Sequence, residues 1–364
     1  MSKIVDVKVK VLEIPLKTPW QTFLYATATR AHCVVRVVTE DGIFGYGEAS
    51  PAAAFMGETA YTMETVINMY LKQAAVGQSV LEISRINDLM DQVIAGNTSA
   101  KAAVDIAVHD AAGKTLKVPV YVLLGGKSRQ HVELAWSMGF KDFDASLEEA
   151  KEYIRMGFKV MKVKVGKNIE EDAKLVGKLR EIFGPDVPIR MDANQGYTPG
   201  DAIGLLNRVA RFSPESFEQP VRKWNLEGMR HVRDHSCGIP IMADESISSL
   251  HEAHNTIQAG CADYYNIKVG KVGGLYRACQ VAAMVEAAGY QAAAGSNLEL
   301  GIGEAASIHF IVSQPAVCLP SDALCGTGLH TANLVKNPMT MQGGVLNCPE
   351  LPGLGVEVDE GIFK

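Results

Sequence analysis

The sequence has no strong excess of either charge, no cysteine pair in C-x-x-C spacing, no long unbroken apolar run and no low-complexity tract. Each absence removes a class of protein. Its 364 residues carry a formal charge of −6, too small for a polyanion-binding surface, so neither nucleic acid nor an anionic membrane is an expected partner. Seven cysteines, at positions 33, 237, 261, 279, 318, 325 and 348, form an odd set without metal-ligand spacing; reduced, buried thiols in a cytoplasmic protein are the expectation. Nowhere do roughly 18 apolar residues run together, as a membrane-spanning helix requires. The start, "MSKIVDVKVKVLEIPL", alternates polar and apolar residues where a secretory signal would be continuously apolar. What is present is an ordinary globular composition, 47% hydrophobic and 21% charged, in a chain long enough for about two domains or one large barrel with an appendage.

Two rhythms divide the chain. Alternating runs at 3–14, 32–42 and 44–49, with the turn "EDG" between the last two, predict an antiparallel meander. Apolar residues at i, i+3, i+4 spacing then predict helices near 58–75, 83–95 and 99–117, the last ending before Pro119. This part reads as an α+β domain, closed by "LLGG" at 123–126. From about residue 131, short apolar strands alternate with longer amphipathic helices, at 132–137, 159–165, 188–192, 216–220, 239–244, 264–269, 290–295 and 316–322. Eight strand–helix units in this length predict a (β/α)8 TIM-type barrel.

The ionisable residues follow that repeat. Lys164, Asp192, Glu218, Asp244 and Lys268 each stand at or beside the C-terminal end of a predicted strand, 28, 26, 26 and 24 residues apart. In a barrel they converge from consecutive strands onto the mouth where such folds place active sites. Three carboxylates in a partly dehydrated site repel one another, and a divalent cation is the simplest relief; oxygen ligands favour Mg2+, or alternatively Mn2+, over zinc. Lys162 and Lys164, two apart in "VMKVKVG" (160–166), share a strand face. Lys164, nearer the strand end, is the better candidate base. Lys162 is its electrostatic neighbour, expected to depress its pKa and keep it neutral. Lys268 approaches from the far side of the acidic strands, so that opposed lysines reach two faces of a substrate.

This pattern resembles the enolase superfamily and, within it, the muconate lactonising enzyme subgroup, in the K-x-K strand, in "MDANQGY" (191–197), "FEQP" (217–220), "IMADESI" (241–247) and "NIKVGKVGG" (266–274), and in the closing "PGLGVEVD" (352–359). The resemblance spans essentially the full chain. It implies an N-terminal α+β capping domain at 1–126, the barrel at 127–329, and a segment, 330–364, that completes the capping domain. It also implies Asp192, Glu218 and Asp244 as Mg2+ ligands, Lys164 and Lys268 as acid and base, and Lys162 as their helper, with Asn194 and Glu245 orienting them by hydrogen bonds. The implied chemistry is proton abstraction or addition α to a carboxylate through a metal-stabilised enediolate, on a small carboxylate substrate, in a homo-oligomer that is often an octamer.

The particular reaction rests on less. "VELAWSMG" (132–139) and "GNTSAKAAVDIAVHD" (96–110) resemble muconate cycloisomerases, whereas "IPLKTPWQTF" (14–23) and "MGETAYT" (56–62) are similar to dipeptide or N-acyl amino acid epimerases. The segment 319–329 holds a single Asp322 in place of the D-x-D pair by which dipeptide epimerases grip a substrate ammonium. Glu299, after the seventh strand, matches an acid near the metal site of cycloisomerases. A muconate-type cycloisomerase is the leading expectation, with a racemase or epimerase of N-acyl amino acids or dipeptides, or an acid dehydratase, as alternatives. Trp20, Phe23 and Tyr25, in a segment expected to be mobile around 15–30, and the loop at 50–58 are expected to shape specificity. Outside the class stand a Schiff-base barrel aldolase, which does not require three successive acidic strand ends, and a non-catalytic binding protein, which has little reason to keep all five charged residues.

Overall fold

Alternation of apolar residues along "IVDVKVKVLEI" puts one face of a ribbon in a core and the other in water. In the computed structural model, which describes residues 2–363, this ribbon is β1 (Ile4–Gln21), paired antiparallel with β2 (Ala26–Thr39), which pairs with β3 (Phe44–Ala49). The segment expected to be mobile is mostly strand. Beyond a register shift between Pro15 and Trp20 the pairing resumes, Trp20 opposite Thr27 and Gln21 opposite Ala26, so only residues 22–25 form the turn. Trp20, buried at 7% exposure, anchors this extension.

Helices at 60–75, Ile83–Val93 and Thr98–Leu116 cover the sheet, close to their expected positions. The glycines of "FGYGEA" explain how closely they pack. A Cβ on Gly47 would overlap the carbonyl oxygen of Ala103, and one on Gly45 that of Ala107, so β3 lies directly on the alanine-rich helix 98–116.

The second core belongs to the parallel sheet. Strands β5 (Ala135–Ser137), β6 (Val160–Lys164), β7 (Ile189–Asp192), β8 (Ser216–Glu218), β9 (Ile241–Ala243), β10 (Tyr264–Asn266) and β11 (Gln291–Ala293) follow one another in chain order, each joined to the next by a helix. Two expected strands differ. The run 132–137 divides at Leu134: β4 (His131–Glu133) leaves the barrel to pair with β12 (Val345–Asn347), and only β5 joins the parallel sheet. Residues 316–322 form no regular strand. They make single parallel bridges, Val317 to Ala292 and Ser321 to Leu134, which close the ring between β11 and the start of β5. Pro320 has no N–H to give to a ladder, which limits pairing there to isolated contacts.

The C-terminal segment returns to both parts. Besides the β4–β12 pair, Glu360 accepts from Tyr46 Oη and from Arg36 Nη1 (3.0 Å) on the first sheet. Among the described residues no helix is long and apolar enough to cross a membrane. The six cysteines with described side chains are free thiols; Cys237 and Cys318 are exposed instead of buried as expected, and the side chain of Cys325 lies outside the described residues.

Candidate active site

Along β6 the odd-numbered residues Met161 and Val163 enter the hydrophobic core while Lys162 and Lys164 face inward, the period of two applied to one strand. Both ammonium groups are buried, at 2% and 7% exposure. The three following strands end in carboxylates or lead into one: Asp192 closes β7, Glu218 closes β8, and Asp244 follows β9. Register holds two of them level, Lys164 opposite Asp192 and Asp192 opposite Glu218. Lys268 follows β10.

The three acids are held by backbone, amide and ammonium donors together. Asp192 Oδ1 accepts from the Asn194 backbone N–H at 2.9 Å, and Oδ2 faces Lys164 Nζ at 2.5 Å and Lys162 Nζ at 3.5 Å. Glu218 Oε1 accepts from Asn266 Nδ2 at 2.8 Å, and Lys162 Nζ straddles both oxygens, Oε2 at 3.1 Å and Oε1 at 3.3 Å. Asp244 Oδ1 is held by Lys271 Nζ at 2.6 Å, and Oδ2 lies 2.8 Å from Lys268 Nζ. Each acid thus meets at least two buried donors, and at Glu218 and Asp244 both oxygens face an ammonium group. The chain turns sharply just past two of these acids: Asn194, Gln195 and Gln219 hold positive φ (42°, 71° and 35°), backbone strain of a kind that collects at functional sites. Beside Lys268, a Cβ on Gly295 would press on Asn266 and on the lysine's own Cε, so glycine keeps room for that side chain.

The electrostatics follow from burial and the count of neighbours. Burial works against the Lys162 ammonium, but Asp322, Glu218 and Asp192 outweigh it and hold its pKa well above the ordinary value. Lys268 is likewise raised against the cost of burial, chiefly by Asp244. Each of these two ammonium groups meets more carboxylate than ammonium. Lys271 is lowered, because its burial is not fully offset by Asp244. Asp244, despite burial, is held below the carboxylate range by Lys268 and Lys271. Burial and the proximity of Asp192 push Glu218 up to about 7; burial and Asp244 push Glu245 up to about 8.

The remaining sequence candidates divide. Asn194 Nδ2 donates to Glu245 Oε1 at 3.1 Å, and both are buried at the site. Asp322 joins it as an ion-pair partner of Lys162, at 2.7 Å. Trp20 and Tyr25 line the enclosed space with Lys162, Lys164, Lys268 and Asp322, about 40 Å³ in volume, and the 50–58 loop contributes Phe55. Phe23 is not among the lining residues; its ring lies under the Arg222 guanidinium, 5.7 Å away. Glu299 accepts from Ser296 Oγ (2.7 Å) and Asn297 N–H (2.8 Å), bracing the loop whose Ser296 and Asn297 line the space; no bond joins it to the three acids. Sequence reasoning passed over Lys271 and Asn266. Both lie within the quoted "NIKVGKVGG", and the i, i+3 spacing of Lys268 and Lys271 was the available signal.

In this arrangement, among the described residues, no three His, Cys, Asp or Glu side chains are grouped to hold a metal ion; the lysines occupy the inward oxygens. The donor set nevertheless suits a hard cation. The donors are all oxygen, Asp192 and Glu218 meet at the one Lys162 ammonium (3.5 and 3.1 Å), and buried oxygens of Glu245 (Oε2), Asn194 (Oδ1), Asn266 (Oδ1) and Asp322 (Oδ1) have no hydrogen-bond partner. Such orphaned acceptors around a cluster of acids leave unsatisfied negative potential that a divalent ion would relieve.

Comparison with known proteins gives the same architecture. The family described as "Enolase C-terminal domain-like" matches residues 145–362, and "Mandelate racemase / muconate lactonizing enzyme, N-terminal domain" matches residues 4–125. The chain is 33% identical, over 97% of its length and 98% of the relative's, to L-Ala-D/L-Glu epimerase of Clostridium acetobutylicum. Muconate lactonizing enzyme from Pseudomonas fluorescens, solved with muconolactone, superposes with a TM-score of 0.95 at 28% identity, covering 100% of this chain and 98% of that one. Dipeptide epimerase from Enterococcus faecalis V583, solved with Mg and L-Leu-L-Tyr, superposes at 0.93 with 32% identity, covering 98% and 99%.

Proposed function

The chain belongs to the mandelate racemase / muconate lactonizing enzyme family as a metal-dependent isomerase, and from that premise we propose that it is a Mg2+-dependent racemase or epimerase, acting at the α-carbon of an N-acylated amino acid or similar small carboxylate. The observation that carries this reading is the opposition of Lys164 and Lys268: both line one enclosed space, from either end of an arc of three acidic strands. Inversion at carbon needs one group to take the proton from one face and another to return a proton to the opposite face. A ring closure by addition needs only one such group. Asp322 supports an acylated over a free amino group, because its Oδ2 is engaged by Lys162 and a substrate ammonium would have to displace that contact.

Asp192, Glu218 and Asp244 are the residues to hold Mg2+, which two solved relatives contain. When bound, the ion supplies positive charge against the second negative charge that develops on the substrate carboxylate as the α-proton leaves. The chain's own residues do the rest. Whichever of Lys164 and Lys268 is the neutral amine takes the proton at Nζ and becomes ammonium, and the other, as ammonium, returns one and becomes amine; Lys162 keeps cationic charge beside Glu218, Asp192 and Asp322; Trp20, Tyr25 and Phe55 exclude water from the reacting face. Cycloisomerisation is the second reading, favoured by the 0.95 superposition on the muconolactone complex.

Incubation with Mg2+ in D2O against N-succinyl amino acids, dipeptides and muconates tests this. The expected result is α-deuterium in both enantiomers of an amino acid derivative, with inversion. Lys164→Ala and Lys268→Ala should each lose inversion, each leaving exchange of a single enantiomer. Lactone formation from a muconate without exchange in any amino acid derivative would turn the assignment to the second reading, and an active double variant would sink both.

A further inference from the structure

Lys271 carries a feature that catalysis by Lys164 and Lys268 does not use. It is fully buried, three residues after Lys268 in the helical turn Val269–Val272. Its Nζ lies 2.6 Å from Asp244 Oδ1, also donates to the Asp244 backbone carbonyl, and finds Asn266 O at 3.5 Å. The ammonium thus grips Asp244 at side chain and backbone together, with Asn266 O as a longer third contact. The segment is fixed from the other domain: Asp105, on helix 98–116, accepts the backbone N–H groups of Leu275 (2.6 Å) and Tyr276 (3.3 Å) just beyond.

A free carboxylate can bind a divalent ion through one oxygen or two. We propose that Lys271 is a positioning residue that holds Asp244 to one ligating oxygen, Oδ2, and so keeps a coordination position on the cation open for the substrate. This rests on Asp192, Glu218 and Asp244 being the ligands. Six-coordinate Mg2+ or Mn2+ held by three single oxygens keeps about three positions for water or substrate; two-oxygen binding by Asp244 removes one of them. The backbone N–H of Asn194 restrains Asp192 Oδ1, and Nδ2 of Asn266 restrains Glu218 Oε1 at 2.8 Å, nearer than Lys162 at 3.3 Å. At Asp244 the restraint is a buried cation, which costs desolvation and in return offsets part of the charge of an acid-rich site.

The test uses Mn2+ alone as the probe, so no substrate is needed. Stoichiometric binding is followed by electron paramagnetic resonance, and fast-exchanging waters on the bound ion by water-proton relaxation. Wild-type protein should show about three exchangeable positions and Lys271→Met about two, with the dissociation constant unchanged or up to about tenfold tighter once a nearby cation is removed. Should Lys271→Met fail to fold, Lys271→Gln is measured with the same expectation, since its shorter, neutral side chain cannot hold Asp244 by charge. Equal water counts in variant and wild type would overturn the role of Lys271. Absence of stoichiometric Mn2+ binding in the wild type, or its full retention in Asp244→Ala, would overturn the ligand set itself, a different result from the failure of the positioning role.

Discussion

Lys162 and Lys164 are two residues apart on one strand, yet they meet different partners: Lys164 pairs with Asp192 alone, while Lys162 touches Asp192, Glu218 and Asp322. Spacing gave their common face and the strand ends gave the acids, because both depend only on local periodicity. Who pairs with whom depends on strands far apart in sequence, which is why Asp322 read as a poor ammonium clamp and Lys271 was missed. Histidine burial gives a prediction of the same grain. His309 accepts the Tyr121 backbone N–H at Nδ1 (3.2 Å) and donates from Nε2 to Leu354 O (3.1 Å), so its buried ring must be neutral; burial lowers its pKa to about 4. A depressed folded pKa gives stability that is complete above the ordinary value of about 6.5 and is lost as pH falls toward 4. Urea denaturation should therefore show the native protein losing about 2 kcal/mol through this residue between pH 7 and pH 5, and His309→Gln should flatten the slope by that amount. An unchanged slope would remove His309 as its cause.

At the scale of elements, the first sheet and its helix are joined by the absence of side chains. "FGYGEA" is a strand in spite of two glycines, which ordinarily weaken strand interiors. Packing gives the glycines their use: Gly45 and Gly47 let β3 approach helix 98–116, whose facing residues are Ala103, Ala107 and Ala111. Gly47→Ala should cost more than about 3 kcal/mol, because the overlap is with a helix carbonyl that cannot move alone. Denaturant unfolding measures this, and a loss under about 1 kcal/mol would show that the helix can shift at small cost. Strand β1 illustrates the opposite limit. Its first half alternates and is legible, but its continuation through Pro15 to Gln21 has no such signal and exists because β2 pairs with it.

For the whole molecule, ligand binding should be visible as stability. Five carboxylates (Asp192, Glu218, Asp244, Glu245, Asp322) and four lysines (Lys162, Lys164, Lys268, Lys271) share one buried region, an arrangement whose desolvation cost is only partly returned by pairing. A cation that binds only the folded chain adds about 2.7 kcal/mol at a hundredfold excess over its dissociation constant. Thermal unfolding should thus move upward on Mg2+ addition and return with EDTA, and Asp244→Asn should lose the response. Unfolding of the wild type that is indifferent to Mg2+ would count against the proposed metal site.

The sequence by itself determined the order of parts: the meander, three covering helices, a strand–helix repeat, and charged residues at successive strand ends. These are properties of period and spacing, which a chain carries in any conformation. Only the tertiary structure decided that 316–322 closes the ring through isolated bridges, that Phe23 stays out of the enclosed space while Phe55 enters it, and that Lys271 holds Asp244 while Lys162 straddles Glu218. Those outcomes are set by contacts between residues distant along the chain, where charge, burial and sterics are fixed by three-dimensional neighbours that no local pattern encodes.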